Sequence, residues 1–95
     1  MITIVAKSEI KEGKVEEFIA LAEKLINESR KEAGCISYYL NQDINNSNVL
    51  TFMEEWESKE AIALHNNSEH YKTIVPMLGK FRVSSPDVTL YERIK

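Results

Sequence analysis

Apolar and polar residues alternate at the start of the chain. Ile2, Ile4 and Ala6 fall on one side, Thr3, Val5 and Lys7 on the other, and β-branched residues dominate, which predicts a strand over residues 1–10. After Gly13 the period changes. Val15, Phe18, Ile19, Ala22, Leu25, Ile26 and Ser29 form one stripe with Glu and Lys opposite, so residues 14–32 read as a long amphipathic helix stopped by Ala33-Gly34. Alternation returns over residues 35–42, with Ile36, Tyr38 and Leu40 against Ser37, Tyr39 and Asn41. An Asn-rich turn covers 43–48, and a third strand runs from Val49 to Trp56. Ser58 and Ser68 are each placed to cap a short helix, because a serine hydroxyl accepts from a backbone N–H that the first turn leaves free. The first of these helices has Ala61, Leu64 and His65 on one face; the second has Tyr71, Ile74, Val75 and Leu78. Pro76 lies inside the second and should kink it or deprive a carbonyl of its usual donor. Gly79 loosens that helix end, Ser84-Ser85-Pro86 is extended, and residues 88–94 form a closing strand.

The order β-α-β-β-α-β is the ferredoxin-like split βαβ pattern of the α+β class, a four-stranded antiparallel sheet with helices on one face. A single domain over residues 1–95 is expected. The third strand is apolar on both sides: Val49, Thr51 and Met53 point one way, Leu50, Phe52 and Trp56 the other. Only one face has helices to cover it, and exposed apolar area costs roughly 25 cal/mol per Å². A homodimer through the sheet face is therefore expected.

Composition narrows the classes further. A net charge of −3 gives no basic field for nucleic acid and no polybasic membrane signal. No apolar run approaches a bilayer span, and the strand-like start has no signal-peptide pattern, so the expected location is cytoplasmic. One cysteine excludes an internal disulfide and a multi-cysteine zinc site; Cys35 reads as a small buried residue.

The chemistry is concentrated between Glu54 and Lys72, which hold the only tryptophan, Trp56, and both histidines, His65 and His70. His65, on the inner face of its helix, is the candidate catalytic base for a phenol, a quinol or a carbon beside a carbonyl; its bland alternative is a histidine that only ties helix to sheet. Glu54 shares a strand face with Phe52 and Trp56 and is the second catalytic candidate, holding His65 in one tautomer; otherwise it pairs with Arg93, Lys7 or a backbone N–H. Trp56 and Phe52 are candidate walls for a flat substrate, with His70 at the rim and the Tyr71 hydroxyl reaching inward. The histidines are five apart rather than an i, i+4 pair, and Asn66 and Asn67 are poor ligands, so no metal is expected. No glycine-rich nucleotide loop exists, and no cofactor is expected.

The ordered set Gly34-Cys35-x-x-Tyr38, strand Glu54-x-Trp56-Glu57-Ser58, Ala61, His65 and Ser68-x-His70 resembles the antibiotic biosynthesis monooxygenase family over almost the whole chain. That resemblance implies a dimeric α+β barrel with a pocket between sheet and helices in each subunit. It also implies one of several chemistries. Haem-degrading members carry Asn, Trp and His where this chain has Ala6, His65 and about Val75, so that branch does not fit. The polyketide-oxidising type shares Trp56, but its Asn, Tyr and Arg fall near Phe52, Ile62 and Pro76. Quinol-oxidising members are closer, with a strand Glu, a Trp and two histidines spaced as His65 and His70. An isomerase of a phosphorylated quorum-sensing sugar is similar at Ala61-x-x-x-His65 and His70-Tyr71-Lys72-Thr73, and would use Lys72 or Arg82 for phosphate. The leading expectation is a cofactor-independent monooxygenase taking a small aromatic substrate and O₂. The isomerase and a non-catalytic dimeric binding domain stand as alternatives.

Overall fold

The computed structural model describes residues 1–95, which run β1 (Ile2–Glu9), α1 (Val15–Ser29), β2 (Cys35–Gln42), β3 (Val49–Trp56), α2 (Lys59–Asn66), α3 (Glu69–Gly79) and β4 (Asp87–Glu92). The four strands make one antiparallel sheet in the order β2-β3-β1-β4, the ferredoxin-like arrangement expected. Ile2, Ile4 and Ser8 of β1, Tyr38 of β2 and Leu50, Phe52, Glu54 and Trp56 of β3 are buried on the helix side. They meet Phe18, Ala22 and Leu25 of α1 and Ile74 and Leu78 of α3. Burying each such large side chain contributes roughly 1.5–3 kcal/mol. The aromatics are linked edge to face: Tyr38 lies 5.7 Å from Phe52 and 6.2 Å from Trp56, ring centre to ring centre.

Both serine caps form as read. Ser58 Oγ accepts from the Ala61 N–H at 3.1 Å and Ser68 Oγ from the Tyr71 N–H at 3.3 Å. The turn between them is tied by the Ser68 hydroxyl donating to the His65 carbonyl at 2.6 Å. That hinge lets α2 and α3 present side chains to one place.

Four details differ from the sequence reading. First, α1 ends at Ser29 instead of continuing to residue 32. The Arg30 side chain leaves the helix to donate to the Tyr38 carbonyl, through Nε at 3.1 Å and Nη2 at 2.7 Å, and the following turn frees Glu32. Second, Ile36 is half exposed: Cys35 pairs with Trp56 and Ser37 with Glu55, so Ile36 is the extra residue of a bulge and drops out of the alternation. Third, the buried face of α2 is Ile62 with His65, while Leu64 is 72% exposed. Fourth, β4 ends at Glu92 and every one of its residues is exposed, Ile94 lying beyond it. Helix α3 runs through Pro76, which offers no N–H to the Lys72 carbonyl.

One close approach sets the position of α2. A Cβ built on Gly34 would overlap the Cβ of Ala61, so the loop before β2 lies directly against the first turn of α2. The face of the sheet without helices carries Val5, Met53 and Tyr91, the last two half exposed. No helix is long and apolar enough to cross a membrane.

Candidate active site

Between the sheet and helices α2 and α3 lies a cavity of about 230 Å³ whose lining is mostly hydrophobic. Its walls come from Ile4, Ala6 and Phe52 on the sheet, Leu78 on α3, and Val88 and Leu90 on β4. Six polar groups converge on it: Tyr38, Glu54, His65, Asn66, Tyr71 and Arg82. An apolar cleft with a few convergent polar groups is the usual form of a small-molecule site.

His65 is 2% exposed, two turns into α2, and enclosed by aromatic rings. The Trp56 indole lies 4.4 Å away at a 36° tilt, Tyr71 5.1 Å and Tyr38 5.7 Å, centre to centre. Its Nδ1 is 2.7 Å from Glu32 Oε2. A carboxylate accepts only, so the neutral ring carries its proton on Nδ1 and leaves the Nε2 lone pair free. Nε2 has no hydrogen-bond partner in the protein. Burial lowers the His65 pKa from its ordinary value, the Glu32 carboxylate offsets part of that, and the charge of His70 pushes it down again. The result is an imidazole kept neutral, with a basic nitrogen available.

Glu54 does not perform the role expected of it. It accepts from the Trp56 Nε1–H at 2.9 Å and makes no hydrogen bond to His65. Nor does it pair with Arg93 or Lys7; Arg93 binds Glu55 at 3.1 Å. Burial raises the Glu54 carboxyl to about 7, against the opposing effects of the Trp56 and Tyr38 hydrogen bonds, with Glu32 raising it further. Tyr38 is in turn driven well above its ordinary range by burial and then by Glu54. Tyr38 therefore keeps its proton at neutral pH, and Glu54, also among the lining residues, is about half protonated there and carries its proton below it.

The other expected residues divide. Phe52 and Tyr71 line the cavity, as expected of substrate walls. Trp56 is fully buried and stands behind His65 and Glu54, outside the lining. His70 is also outside it, its Nε2–H donating at 2.8 Å to the same Glu32 oxygen that holds His65. Lys72 is exposed and outside the lining, whereas Arg82 is part of it. Cys35 is half-buried, and burial raises its thiol to about 11, so it is unreactive.

Glu32 was invisible in the sequence. It stood at the end of a charged helix face among other Glu and Lys residues, and nothing local marks it. With His65 and His70 it places three ligand atoms within 4.8 Å of one another. The five-residue spacing of the histidines does not keep them apart, because they stand on two helices that meet at Ser68 and Glu32 enters between them from the end of the α1 region. A His₂-carboxylate set suits zinc. In the structure the three groups are joined to one another by hydrogen bonds of 2.7 and 2.8 Å.

The chain matches known proteins along most of its length. The family described as antibiotic biosynthesis monooxygenase matches residues 1–77. A Bacillus subtilis protein called "Putative monooxygenase YcnE" is 33% identical over 86 residues, covering 90% of each chain. A Synechocystis protein, "Uncharacterized protein sll1783", is 30% identical over 91 residues; the match takes in 96% of this chain but 62% of that longer relative. Among solved structures, a conserved protein from Methanosarcina mazei Go1 superposes with a TM-score of 0.95 at 37% identity, over 97% of this chain and 91% of that one. A structure described as antibiotic biosynthesis monooxygenase superposes with a TM-score of 0.94 at 25% identity over the full length of both.

Proposed function

The chain belongs to the antibiotic biosynthesis monooxygenase family, and from that premise we propose that it is a cofactor-independent monooxygenase acting with O₂ on a small aromatic, quinol-type substrate, with His65 as general base. The observation that carries this reading is the His65 imidazole itself: Nδ1 committed to Glu32 at 2.7 Å and Nε2 unpartnered in a chiefly apolar cavity. That is the arrangement of a positioned base, and a base of this kind supplies roughly 10²–10⁴ in rate. Glu32 is its positioning residue.

The reaction balances without an external reductant. Hydroquinone plus O₂ gives hydroxybenzoquinone plus water, the substrate losing four electrons and O₂ gaining four. His65 Nε2 takes the hydroxyl proton, and the electron-rich anion passes one electron to O₂. The radical pair joins at a ring carbon as a hydroperoxide. Loss of water then breaks the O–O bond and leaves the new carbonyl oxygen on the ring. The protonated Glu54 carboxyl, among the lining residues, supplies the proton that leaves with the departing oxygen, and Tyr38 holds that carboxyl through its own hydroxyl. A cavity of about 230 Å³ is below the roughly 300–1,000 Å³ of sites for drug-sized ligands, which suits a single ring.

We also propose the homodimer, a second copy covering the sheet face that carries Val5, Met53 and Tyr91. The isomerase reading keeps one point in its favour, the cationic Arg82 in the cavity, which suits a phosphorylated substrate. Oxygen uptake by the metal-free protein with hydroquinone, wild type against His65→Ala, decides between them. Uptake above autoxidation that disappears in a folded His65→Ala variant supports the oxygenase. No uptake above background over a panel of hydroquinones removes it.

A further inference from the structure

Arg82 is held more firmly than a surface cation would be. Its backbone bridges to Ile10, flanked by Lys11 N–H to the Phe81 carbonyl at 2.8 Å and Val83 N–H to the Glu9 carbonyl at 2.9 Å. Its Nε donates to the buried Ser8 hydroxyl at 2.8 Å, and the guanidinium lies over the Phe18 ring at 5.6 Å. The bridge to Ile10 thus holds the backbone, while Ser8 of β1 and Phe18 of α1 hold the fork. They use one of its five N–H donors. Both Nη atoms lack a protein partner, remain accessible, and belong to a side chain that lines the cavity.

A half-buried cation with free donors is costly unless something neutralises it. No carboxylate lies within ion-pair distance of Arg82. The one carboxyl among the lining residues, Glu54, is pushed up to about 7 by burial and is largely neutral in mildly acidic solution. The other titratable groups there are His65, held neutral by burial, and the Tyr38 and Tyr71 hydroxyls. Below neutrality the cavity therefore holds a fixed positive charge and no anion of its own.

We infer that the Arg82 guanidinium is the binding site for an anionic head group, a carboxylate or a phosphate, on the small substrate that occupies this cavity. The free Nη1 and Nη2 edge takes two oxygens of such a group side by side, a geometry suited to planar oxyanions. This names the substrate class for the site proposed above and rests on that site being the reaction centre. A neutral hydroquinone would fill the cavity and leave the cation uncompensated. A ring or short chain ending in an anion would fill it and pair the cation.

The test is equilibrium binding by calorimetry on the intact protein at pH 6, without oxygen, using hydroquinone, 2,5-dihydroxybenzoate and phenyl phosphate. One of the two anions should bind about tenfold or more tighter than hydroquinone, the size of effect a charge-assisted bidentate contact supplies. Which anion wins separates carboxylate from phosphate. Arg82→Gln should abolish the preference, and Arg82→Lys should retain part of it. Should Arg82→Gln fail to fold, salt on the wild type serves: the anion must weaken with ionic strength and hydroquinone must not. Equal binding of neutral and anionic probes, a preference that survives Arg82→Gln, or no anion binding at millimolar concentration overturns the inference. Because oxygen is absent, binding is read apart from turnover, so an anion that binds through Arg82 leaves Arg82 its role even where the oxygen-uptake test removes the oxygenase reading.

Discussion

Glu32 and His65 are separated by 33 positions in sequence, and their side chains meet at 2.7 Å between Oε2 and Nδ1. The same oxygen reaches His70 Nε2 at 2.8 Å. One carboxylate therefore joins the end of α1 to α2 and α3, and decides which nitrogen of His65 is free.

Removing that charge should shift His65 measurably. Glu32 raises the His65 pKa against the larger effect of burial, so Glu32→Gln should lower it further below the ordinary 6.5. Trp56 is the only tryptophan and stacks 4.4 Å from His65, so its fluorescence, quenched by a protonated imidazole, reports the titration. The quenching midpoint and the acid limb of kcat/KM should both move to lower pH in Glu32→Gln. Turnover should fall by part of the roughly 10²–10⁴ that a positioned base supplies. An unmoved midpoint would show that Glu32 does not act on His65.

Glu54 makes stability fall as pH rises. Its folded-state pKa of about 7 stands above the ordinary 4.5, so the folded chain holds a proton that the unfolded chain has lost. Between those values stability declines with pH, by up to about 3 kcal/mol for this group, and levels off above 7. His65 acts oppositely below 6.5, where its lowered pKa makes protonation favour unfolding. Urea unfolding at pH 5.5 and pH 8.5 should show Glu54→Gln gaining stability relative to wild type at the higher pH only. Gain at neither pH would mean that the carboxyl is solvated.

Gly34→Ala should destabilise by about 1–3 kcal/mol, the usual cost of an added atom without space. Ala61 must give way, and α2 carries His65, so activity should fall with stability. Adding Ala61→Gly removes the overlapping Cβ and leaves only the Ala61 Cα at 3.5 Å, an ordinary contact. The double variant should recover part of the loss, a coupling that thermal unfolding reads as non-additivity. Strict additivity would sink the account.

Sedimentation velocity tests the expected dimer. Met53 sits near the middle of the helix-free face, paired across the ladder with Val5 and Tyr39 and 45% exposed. Wild type should sediment as a dimer and Met53→Lys as a monomer, because a buried unpaired ammonium is strongly unfavourable. A wild-type monomer at micromolar concentration would overturn the sheet-to-sheet assembly.

The periods of the sequence determined the elements. Alternation in β1 and β3 put Phe52, Glu54 and Trp56 on the buried face, the α1 stripe put Phe18, Ala22 and Leu25 against them, and Ser58 and Ser68 capped α2 and α3 as read. These are local effects: strand period, helix period and cap chemistry act over a few residues and are legible without a partner. The candidate base was legible for the same reason, since His65 stands on a helix next to a strand ending in Trp56.

Ile36, Leu64, Glu32 and Arg82 were decided only in three dimensions. The bulge turned Ile36 outward, and the seat of α2 against Gly34 exposed Leu64 and buried Ile62. Glu32 lies 33 residues from His65, and Arg82 lies 74 from Ser8. Which charged side chain is drawn inward depends on where helices end and how they pack, and charged residues look alike until that packing removes water from a few of them. The sequence therefore showed where a candidate base stands, and the tertiary structure decided which carboxylate holds it and which cation shares its cavity.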